Sequence, residues 1–160
     1  MAKNKTPSTP AIHALKAAGV DFTPRPYAYE DHGGTETAAR ELGVDEHAVV
    51  KTLVMQDDKG QPFLVLMHGD QEVSTKALAR ELGVKTVSPC DPAVAQKHTG
   101  YLVGGISPFG TRKRLPVMMQ VSILDLQCIY INAGRRGLLA ELDPKELKRV
   151  LDAKPVKAAR

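Results

Sequence analysis

Apolar residues recur every three to four positions in several stretches of the chain, and capping residues bracket these stretches. The first stretch opens with Thr9 and Pro10, which suit the N-cap and the first turn of a helix. Its apolar face runs through Ile12 and Leu15, and Gly19 suits the residue that follows a helix. Four further helices are predicted on the same grounds. Two of them end in the hexapeptide ARELGV, at 39–44 and 79–84, with Gly43 and Gly83 as stops, and a third runs from Asp91-Pro92 to Gly100. The fourth begins at Asp143-Pro144, where Glu146 completes a capping box, and its inward-facing residues are Leu147, Val150 and Leu151.

Between these helices the pattern changes to the short apolar runs that are typical of strands. The strand candidates are Asp21–Tyr27, Lys51–Gln56, Pro62–Met67, Leu102–Val103, Leu115–Val121, Cys128–Ile131 and a short one near Leu138–Leu142. The sequence DDKG at 57–60 suits a hairpin turn between the second and third of them. Because a hairpin and neighbouring late strands accompany the helices, we predict an α+β fold with a mixed sheet, not a doubly wound parallel one.

The length of 160 residues fits one domain over residues 1–160, and no linker divides the chain. We expect the ends, roughly residues 1–7 and 154–160, to be loose. No apolar run approaches the roughly 18 residues that span a bilayer. The N-terminus MAKNKTPSTP also lacks the apolar segment of a secretory signal. The expected location is the cytoplasm, with no membrane contact.

Cysteine and histidine are too scattered to predict a metal site. Cys90 and Cys128 belong to no CxxC pair, and reduced thiols in or near the core are the simplest interpretation. The five histidines form no HxE or HExxH pattern. We therefore predict no metal and no cofactor.

The net charge of +4 conceals a strong asymmetry along the chain. Residues 1–110 hold 11 basic and 13 acidic side chains, whereas residues 111–160 hold 11 basic and 5 acidic ones. A basic surface attracts phosphate backbone with salt-sensitive affinity. Aromatic residues make up only 4% of the chain, so base stacking is not the expected mode of recognition. A solvated basic helix and tail is the alternative for the last dozen residues.

The stretch TGYLVGGISPFG at 99–110, followed by TRKRLP, carries the strongest local signal. Gly104 and Gly105 permit positive φ and let a ligand approach the backbone, and Pro108 stiffens the loop. Such a loop can direct backbone N–H groups at an anion or a carbonyl oxygen. This chemistry suggests a cradle for a small polar group attached to phosphate, while a tight turn between two strands is an equally open alternative. The chain has neither GxxxxGK[ST] nor GxGxxG, which argues against nucleotide hydrolysis and dinucleotide binding.

Together with KTLV at 51–54 and IYINAGRRG at 129–137, this loop and the basic run before LPV resemble the YbaK family. Its members are bacterial Cys-tRNA(Pro) deacylases related to the editing domain inserted in some prolyl-tRNA synthetases. The resemblance extends from the first helix to LDAK near residue 154, and TGYLVGG with AGRRG points towards the cysteinyl branch. It implies a curled, mixed and mainly antiparallel sheet of about six or seven strands flanked by helices, with a small pocket for the aminoacyl end of tRNA.

The resemblance also implies a set of site residues. Lys51 matches the active-site lysine of the family, residues 104–108 match its substrate-binding loop, and Tyr27 matches a tyrosine on the strand that feeds the pocket. The expected catalytic residues are Lys51, Gly104, Gly105 and Ser107; the expected substrate contacts are Tyr27, Tyr101, Ile106 and Pro108; the expected tRNA contacts are Arg112, Lys113 and Arg114. Ser107 is read as a loop hydroxyl and not as a nucleophile, because proline follows it and no base is evident.

Two parts of the chain depart from the family pattern. The tract from Ala28 to Glu36 matches poorly, so no role is transferred to it. Gln120 stands where relatives commonly end the LPxxx strand with aspartate. If that aspartate orients a pocket group, a neutral amide could alter specificity or rate.

In the mechanism of the family, the thiol of the attached cysteine attacks its own ester carbonyl and releases tRNA and a thiolactone. Proximity can contribute about 7–11 kcal/mol to such an intramolecular attack. The resemblance implies Cys-tRNA(Pro) as substrate, with Cys-tRNA(Cys) as a further one, and prolyl-tRNA synthetase as the partner that supplies tRNA selectivity. Two alternatives remain: specificity for Ala-tRNA(Pro), which has no thiol and would need water, and a non-catalytic module that binds tRNA ends or a synthetase.

Overall fold

The structure, a computed structural model, describes residues 7–160. Five α-helices and eight β-strands follow one another along this part of the chain. The helices are α1 (Pro10–Ala17), α2 (Gly34–Leu42), α3 (Thr75–Leu82), α4 (Pro92–Thr99) and α5 (Lys145–Leu151). The strands are β1 (Phe22–Pro26), β2 (Val49–Asp57), β3 (Pro62–His68), β4 (Val87–Pro89), β5 (Val117–Gln120), β6 (Ile129–Arg135), β7 (Leu138–Leu142) and β8 (Lys154–Val156). Short 3₁₀ helices cover Glu46–Ala48 and Val121–Asp125.

The eight strands form one sheet in the order β1-β7-β6-β2-β3-β5-β8, and β4 adds to β2. Strand β2 is antiparallel to β3 and β4 and parallel to β6. The β3–β5 and β5–β8 pairings are also parallel, whereas β1–β7 and β6–β7 are antiparallel. The predicted α+β fold with a mixed sheet is confirmed. The sheet is mixed rather than mainly antiparallel, because three of its pairings, β2–β6, β3–β5 and β5–β8, join strands that are far apart in sequence and run parallel.

Three clusters of buried side chains hold the helices to the sheet. The largest joins Ile12 and Leu15 of α1 to the central strands. A second packs Leu78 of α3 against β3, and a third packs Ala38 of α2 against Val49 at the start of β2. The helical spacing of apolar residues in the sequence is therefore the spacing that reaches the sheet. The third cluster also fixes α2 beside the N-terminal half of β2, where the candidate site lies.

The predicted N-terminal cap of α1 and the predicted ends of α2 and α3 are confirmed in their detailed geometry. The hydroxyl of Thr9 accepts a hydrogen bond from the backbone N–H of Ile12 at 3.0 Å. Gly43 and Gly83, the two glycines of the repeated ARELGV, have φ of 68° and 69° and end α2 and α3 in the same way. The repeated hexapeptide thus ends both helices with the same backbone conformation, because glycine adopts this left-handed conformation without a steric penalty.

The start of α5 differs from the predicted capping box. A carboxylate oxygen of Asp143 accepts a hydrogen bond from the N–H of Lys145 at 2.9 Å, as a capping residue should. The carboxylate of Glu146, however, accepts hydrogen bonds from Arg149 and does not close the box. A charged guanidinium one turn along the helix is a stronger partner than a single backbone N–H.

The prediction of a strand at Leu102–Val103 is wrong. Both side chains are exposed, at 54% and 49%, in an irregular loop. The N–H of Gly105 donates to the carbonyl of Leu102 at 2.8 Å, so the backbone turns here and does not pair with a neighbouring strand. Strand β4, in turn, has only three residues, which is too short to give a periodic signal.

The expectation of a loose segment at 154–160 is also wrong. Strand β8 pairs with β5, Ala158 is fully buried, and Ala159 forms a β-bridge with Val73. The side chain of Gln120 anchors this segment, because its oxygen accepts the N–H groups of Ala158 and Ala159 at 2.8 and 2.9 Å. Most of the segment expected to be loose at 1–7 lies outside the described residues.

Candidate active site

A cleft of about 610 Å³ opens beside the central strand β2. Its walls come from β2, from the connection between β1 and α2, from the loop after α4, and from the end of β6 with the turn that follows. Most of the lining is apolar. The charged side chains among the described lining residues are Lys51, Arg136 and Asp31. Two cations against one carboxylate favour an anionic ligand.

Lys51 lies in the first half of β2 and lines this cleft, half-buried. Its ammonium nitrogen is 3.5 Å from the carbonyl oxygen of Gly69, which also accepts from the Thr35 hydroxyl at 3.1 Å. Within residues 7–160, no carboxylate lies within salt-bridge distance of Lys51. The ammonium group is therefore positioned by the sheet, and its charge remains available to a ligand.

The loop of residues 100–110 brings Gly104 and Ile106 to the cleft. Gly104 is exposed and has φ of 92°, a conformation that favours glycine. The N–H of Gly105 is used within the loop, in its bond to Leu102. In the described part of the chain, the N–H groups of Gly104 and Ile106 donate to no protein acceptor. Val103 also lines the cleft and its N–H has no such acceptor either, so these three groups are available to an oxyanion or a carbonyl oxygen.

Four residues of this loop that were expected in the site do not line the cleft: Tyr101, Gly105, Ser107 and Pro108. The Ser107 hydroxyl is fully buried and accepts the N–H of Phe109 at 3.2 Å. Tyr101 is 4% exposed, and its hydroxyl donates to the carbonyl of Phe109 at 2.6 Å. Burial raises the pKa of Tyr101 to about 12, so it stays a neutral donor. Both side chains hold the loop in shape from inside the protein.

The connection between β1 and α2 supplies cleft residues that sequence reasoning missed. Tyr27 lines the cleft as expected, and burial raises the pKa of its phenol. The poorly matching tract adds Tyr29, Asp31, His32 and Thr35. The signal that could have found them is its composition: the sequence YAYEDHGGT is rich in aromatic and polar residues and lies between a strand and a helix.

The end of β6 supplies two further residues that sequence reasoning missed, Asn132 and Arg136. The amide nitrogen of Asn132 donates to the carbonyl of Gly104 at 3.2 Å, and its oxygen accepts the N–H of Gly134 at 2.7 Å. Arg136 donates through Nε to the carbonyl of Val103 at 3.0 Å. Both residues thus join the turn after β6 to the glycine loop.

Cys90 lines the cleft, half-buried, and its thiol is free. Burial, and next the nearby charge of Asp91, raises the pKa of this thiol. A raised pKa keeps the group protonated near neutral pH and makes it a poor nucleophile. Cys128 is a second free thiol, 3.8 Å from the hydroxyl of Tyr130 and away from the cleft lining.

The three basic residues 112–114 are exposed and lie outside the cleft lining. The N–H of Arg112 donates to Thr99 and that of Lys113 to His98, so the segment is fastened to the C-terminal end of α4. A contact between these side chains and tRNA therefore stays a prediction.

Gln120 does not line the cleft, and its amide serves a different purpose from the one considered for the family aspartate. Its nitrogen donates to the Ser122 hydroxyl at 3.3 Å, and that hydroxyl is 2.7 Å from Nε2 of His68. His68 is fully buried, with Nδ1 2.7 Å from the carbonyl of His47. Because a carbonyl only accepts, Nδ1 carries a proton. Burial lowers the pKa of His68, which favours the neutral ring with Ser122 donating to Nε2.

No cluster of three or more histidine, cysteine or acidic side chains placed to hold a metal ion occurs within residues 7–160. In the same part of the chain, no helix combines the length and the apolar character that crossing a membrane requires.

Comparison with known proteins gives a consistent result. The family described as the aminoacyl-tRNA editing domain matches residues 30–150. A protein of Enterococcus faecalis named as a Cys-tRNA(Pro)/Cys-tRNA(Cys) deacylase, EbsC, is 33% identical over 149 residues, which cover 92% of this chain and 91% of that protein. The proline–tRNA ligase of Citrifermentans bemidjiense is 31% identical over 112 residues, 68% of this chain and 19% of the ligase.

Comparison with solved structures agrees with the comparison of sequences. A crystal structure described as a trans-editing enzyme for prolyl-tRNA synthetase superposes with a TM-score of 0.83 at 23% identity, covering 97% of this chain and 99% of the other. At this level of identity the superposition establishes the fold. It confirms the architecture expected from the sequence.

Proposed function

This chain belongs to the aminoacyl-tRNA editing domain family, and on that premise we propose that it removes cysteine from mischarged Cys-tRNA(Pro), and also from Cys-tRNA(Cys). The observation that carries this proposal is the placement of Lys51. Its half-buried ammonium lies in one cleft with the free N–H groups of Gly104 and Ile106, and no carboxylate within residues 7–160 pairs with it.

The cleft supports a mechanism in which the substrate supplies the nucleophile. Ser107 is fully buried with its hydroxyl engaged in the loop, and the raised pKa of Cys90 opposes a thiolate. The substrate cysteine carries its own thiol, which two carbon atoms (Cα and Cβ) separate from the ester carbonyl carbon. Holding that thiol near its ester carbonyl can contribute about 7–11 kcal/mol.

The proposed reaction is an intramolecular acyl transfer. The substrate sulfur forms a bond to the ester carbonyl carbon, and the bond from that carbon to the ribose oxygen breaks. The thiol proton goes to the departing ribose oxygen, so the products are free tRNA and a cyclic thioester. Lys51 and the N–H groups of Gly104 and Ile106 would stabilise the negative charge that develops on the carbonyl oxygen, worth about 3–4 kcal/mol for one well-placed donor.

A small cleft can contact only the amino acid and the last nucleotides of tRNA. We therefore propose that prolyl-tRNA synthetase supplies selectivity for tRNA(Pro) by presenting the mischarged tRNA, and that the enzyme works in the cytoplasm. The relation to the proline–tRNA ligase of Citrifermentans bemidjiense supports this link.

The proposal is tested by incubating the purified protein with Cys-tRNA(Pro), Ser-tRNA and Ala-tRNA(Pro). We expect cysteine to be lost rapidly and serine and alanine to be retained, because an alcohol is a weaker nucleophile than a thiol and alanine has none. Trapping the cyclic thioester with an added amine would identify the product directly.

The variant Lys51→Ala should lower the single-turnover rate on Cys-tRNA(Pro) by about 100-fold or more. Lys59→Ala is the matched control, because Lys59 is an exposed lysine in the turn at the other end of β2. If the wild-type protein removes alanine from Ala-tRNA(Pro) and leaves Cys-tRNA(Pro) intact, the proposed specificity for cysteine is wrong. If it binds tRNA but cleaves none of the esters, the enzymatic proposal is wrong.

A further inference from the structure

The side chain of Arg136 is the best anchored cation in the cleft. Its Nε donates to the carbonyl of Val103 at 3.0 Å, and its guanidinium carbon lies 5.4 Å from the centre of the Tyr29 ring. One bond and one aromatic face therefore restrain a side chain that is otherwise exposed to solvent. Both Arg136 and Tyr29 line the cleft together with Lys51.

The paired glycines of the loop make this arrangement possible. A Cβ at position 104 would come within 2.6 Å of the Tyr29 hydroxyl and 3.3 Å of Nε of Arg136. A Cβ at position 105 would come within 2.9 Å of the backbone nitrogen of Arg136. The glycines thus allow Tyr29 and the turn that carries Arg136 to pack directly on the loop.

Asn132 fastens the other side of the same turn. Its amide nitrogen lies 3.2 Å from the carbonyl of Gly104 and 3.3 Å from that of Arg135, and it donates to both. The loop, the turn after β6 and Tyr29 therefore form one connected unit. Strand β6, which leads into this turn, pairs with β2 beside Lys51, so the unit that holds the guanidinium is joined to the strand that carries Lys51.

The two terminal amino groups of Arg136 have no carboxylate partner within residues 7–160. Three other arginines, Arg25, Arg40 and Arg149, each pair with a glutamate. An anchored guanidinium with a free planar fork is suited to bidentate binding of a phosphate group.

We infer that Arg136 binds the phosphodiester on the 5′ side of the terminal adenosine of the aminoacylated RNA. This inference rests on the proposed function and assigns separate tasks to the two cations of the cleft. Arg136 holds the last phosphate, and Lys51 is left for the ester carbonyl. Because both side chains are fixed to one framework, binding of the phosphate sets the position of the ester.

The test compares two cysteinyl esters, one of adenosine, which carries no phosphate, and one of the trinucleotide CCA. Arg136→Gln should raise KM for the CCA ester by about 10- to 100-fold with little change in kcat, because a charged, bidentate contact is lost. The same variant should lose much less on the adenosine ester, which has no phosphate for Arg136 to bind. Arg136→Lys, which keeps the charge but not the fork, should fall between the wild type and Arg136→Gln on the CCA ester.

Arg112→Gln is the matched control, since Arg112 is an exposed arginine outside the cleft lining; it should leave KM for the CCA ester unchanged. Equal losses on both esters, or no loss on either, would overturn the inference. Thermal unfolding of each variant checks that the fold is intact.

Binding of a fluorescent CCA oligonucleotide that carries no amino acid separates this inference from the proposed function. Weaker binding by Arg136→Gln in a protein that cleaves no cysteinyl ester would retain the phosphate site and reject the enzymatic proposal. Equal affinity of the wild type and Arg136→Gln for the oligonucleotide would overturn the phosphate site, whatever the activity.

Discussion

At the scale of single residues, the structure gives a reason for glycine at positions 104 and 105 that the sequence does not show. The sequence suggested that they allow a ligand to approach the backbone. In the structure, the missing side chains make room for Tyr29 and for the backbone of Arg136. The glycines therefore shape the cleft through its protein neighbours, while only Gly104 also lines it.

Replacing Gly104 by alanine should distort this corner of the cleft. The new Cβ would meet the Tyr29 hydroxyl at 2.6 Å, in addition to the cost of φ at 92°. We expect a loss of about 1–3 kcal/mol in the free energy of unfolding and a fall of at least tenfold in deacylation. Thermal unfolding and single-turnover kinetics measure the two effects.

Gly60→Ala is the matched control for this change. Gly60 also has positive φ, at 76°, but a Cβ there would meet nothing within 4 Å. It should share the backbone cost and leave deacylation unchanged. Equal activity of the Gly104 and Gly60 variants would show that the contact with Tyr29 has no role in the cleft.

Single residues were predictable where the resemblance to a known family carries them. KTLV identified Lys51, and the glycine loop identified Gly104 and Ile106, all of which line the cleft. Asn132 and Arg136 were not identified, because their roles depend on contacts with a loop some 30 residues away in sequence. Tyr101, expected to contact substrate, instead supports the loop from the core.

At the scale of elements, a buried polar chain joins β3 to the C-terminal segment. Nδ1 of His68 donates to His47, Ser122 donates to Nε2 of His68, and Gln120 donates to Ser122. The oxygen of Gln120 then accepts N–H groups from residues 158 and 159. The ring of His68 also stacks on that of His47 at 3.7 Å, and His47 is paired with Asp70.

The hydrogen bonds of His68 should make the free energy of unfolding depend on pH. Burial lowers the pKa of His68; the His47 ring lowers it further, against the opposing effects of the His47 carbonyl, Asp70 and Asp125. As pH falls below the ordinary histidine value of about 6.5, the unfolded chain takes up a proton that the folded one resists. The free energy of unfolding should therefore decrease, by at most about 1.4 kcal/mol per pH unit, until His68 itself is protonated.

Urea unfolding of the wild type and of His68→Gln between pH 5 and pH 8 measures this effect. The variant should be less stable at pH 8 and should show a shallower loss below pH 6.5. His13→Gln, which changes an exposed histidine, is the control. Parallel pH profiles of the wild type and the His68 variant would contradict the assignment.

Elements were predictable where they are long or capped. All five helices and the hairpin of β2 and β3 follow from apolar spacing, caps and the turn DDKG. The three-residue strands β4 and β8 were not, because a run that short has no period. The parallel pairings also carry no local signal, since each joins strands that are far apart in sequence.

At the scale of the whole molecule, the positive charge is divided among several surfaces. The cleft holds Lys51 and Arg136, and residues 112–114 form a separate exposed group. A third group, Lys76, Arg80 and Lys85, borders a groove of about 440 Å³ beside α3. A tRNA that places its 3′ end in the cleft extends far beyond it, so one of the outer groups can meet its backbone.

The triple variant Arg112→Gln, Lys113→Gln, Arg114→Gln tests the group expected from the sequence. We expect weaker binding of tRNA and a shallower dependence of the binding constant on salt, while turnover of the short CCA ester stays unchanged. Fluorescence titration at several salt concentrations measures the slope.

The variant Lys76→Gln, Arg80→Gln, Lys85→Gln removes the same charge from the third group and is the matched control. If only this control weakens tRNA binding, the backbone runs along the groove beside α3 and not along residues 112–114.

The central place of β2 has a dynamic consequence. Lys51 pairs with Met67 of β3, on a strand that also pairs with β6 and β4. Its amide should therefore be among the slowest in the protein to exchange with deuterium. The residues that follow Tyr29 in the connection to α2, including Asp31 and His32, have no regular secondary structure and should exchange quickly. Substrate would then bind between a rigid strand and an adaptable connection. The conformational entropy lost on binding would come mainly from ordering that connection.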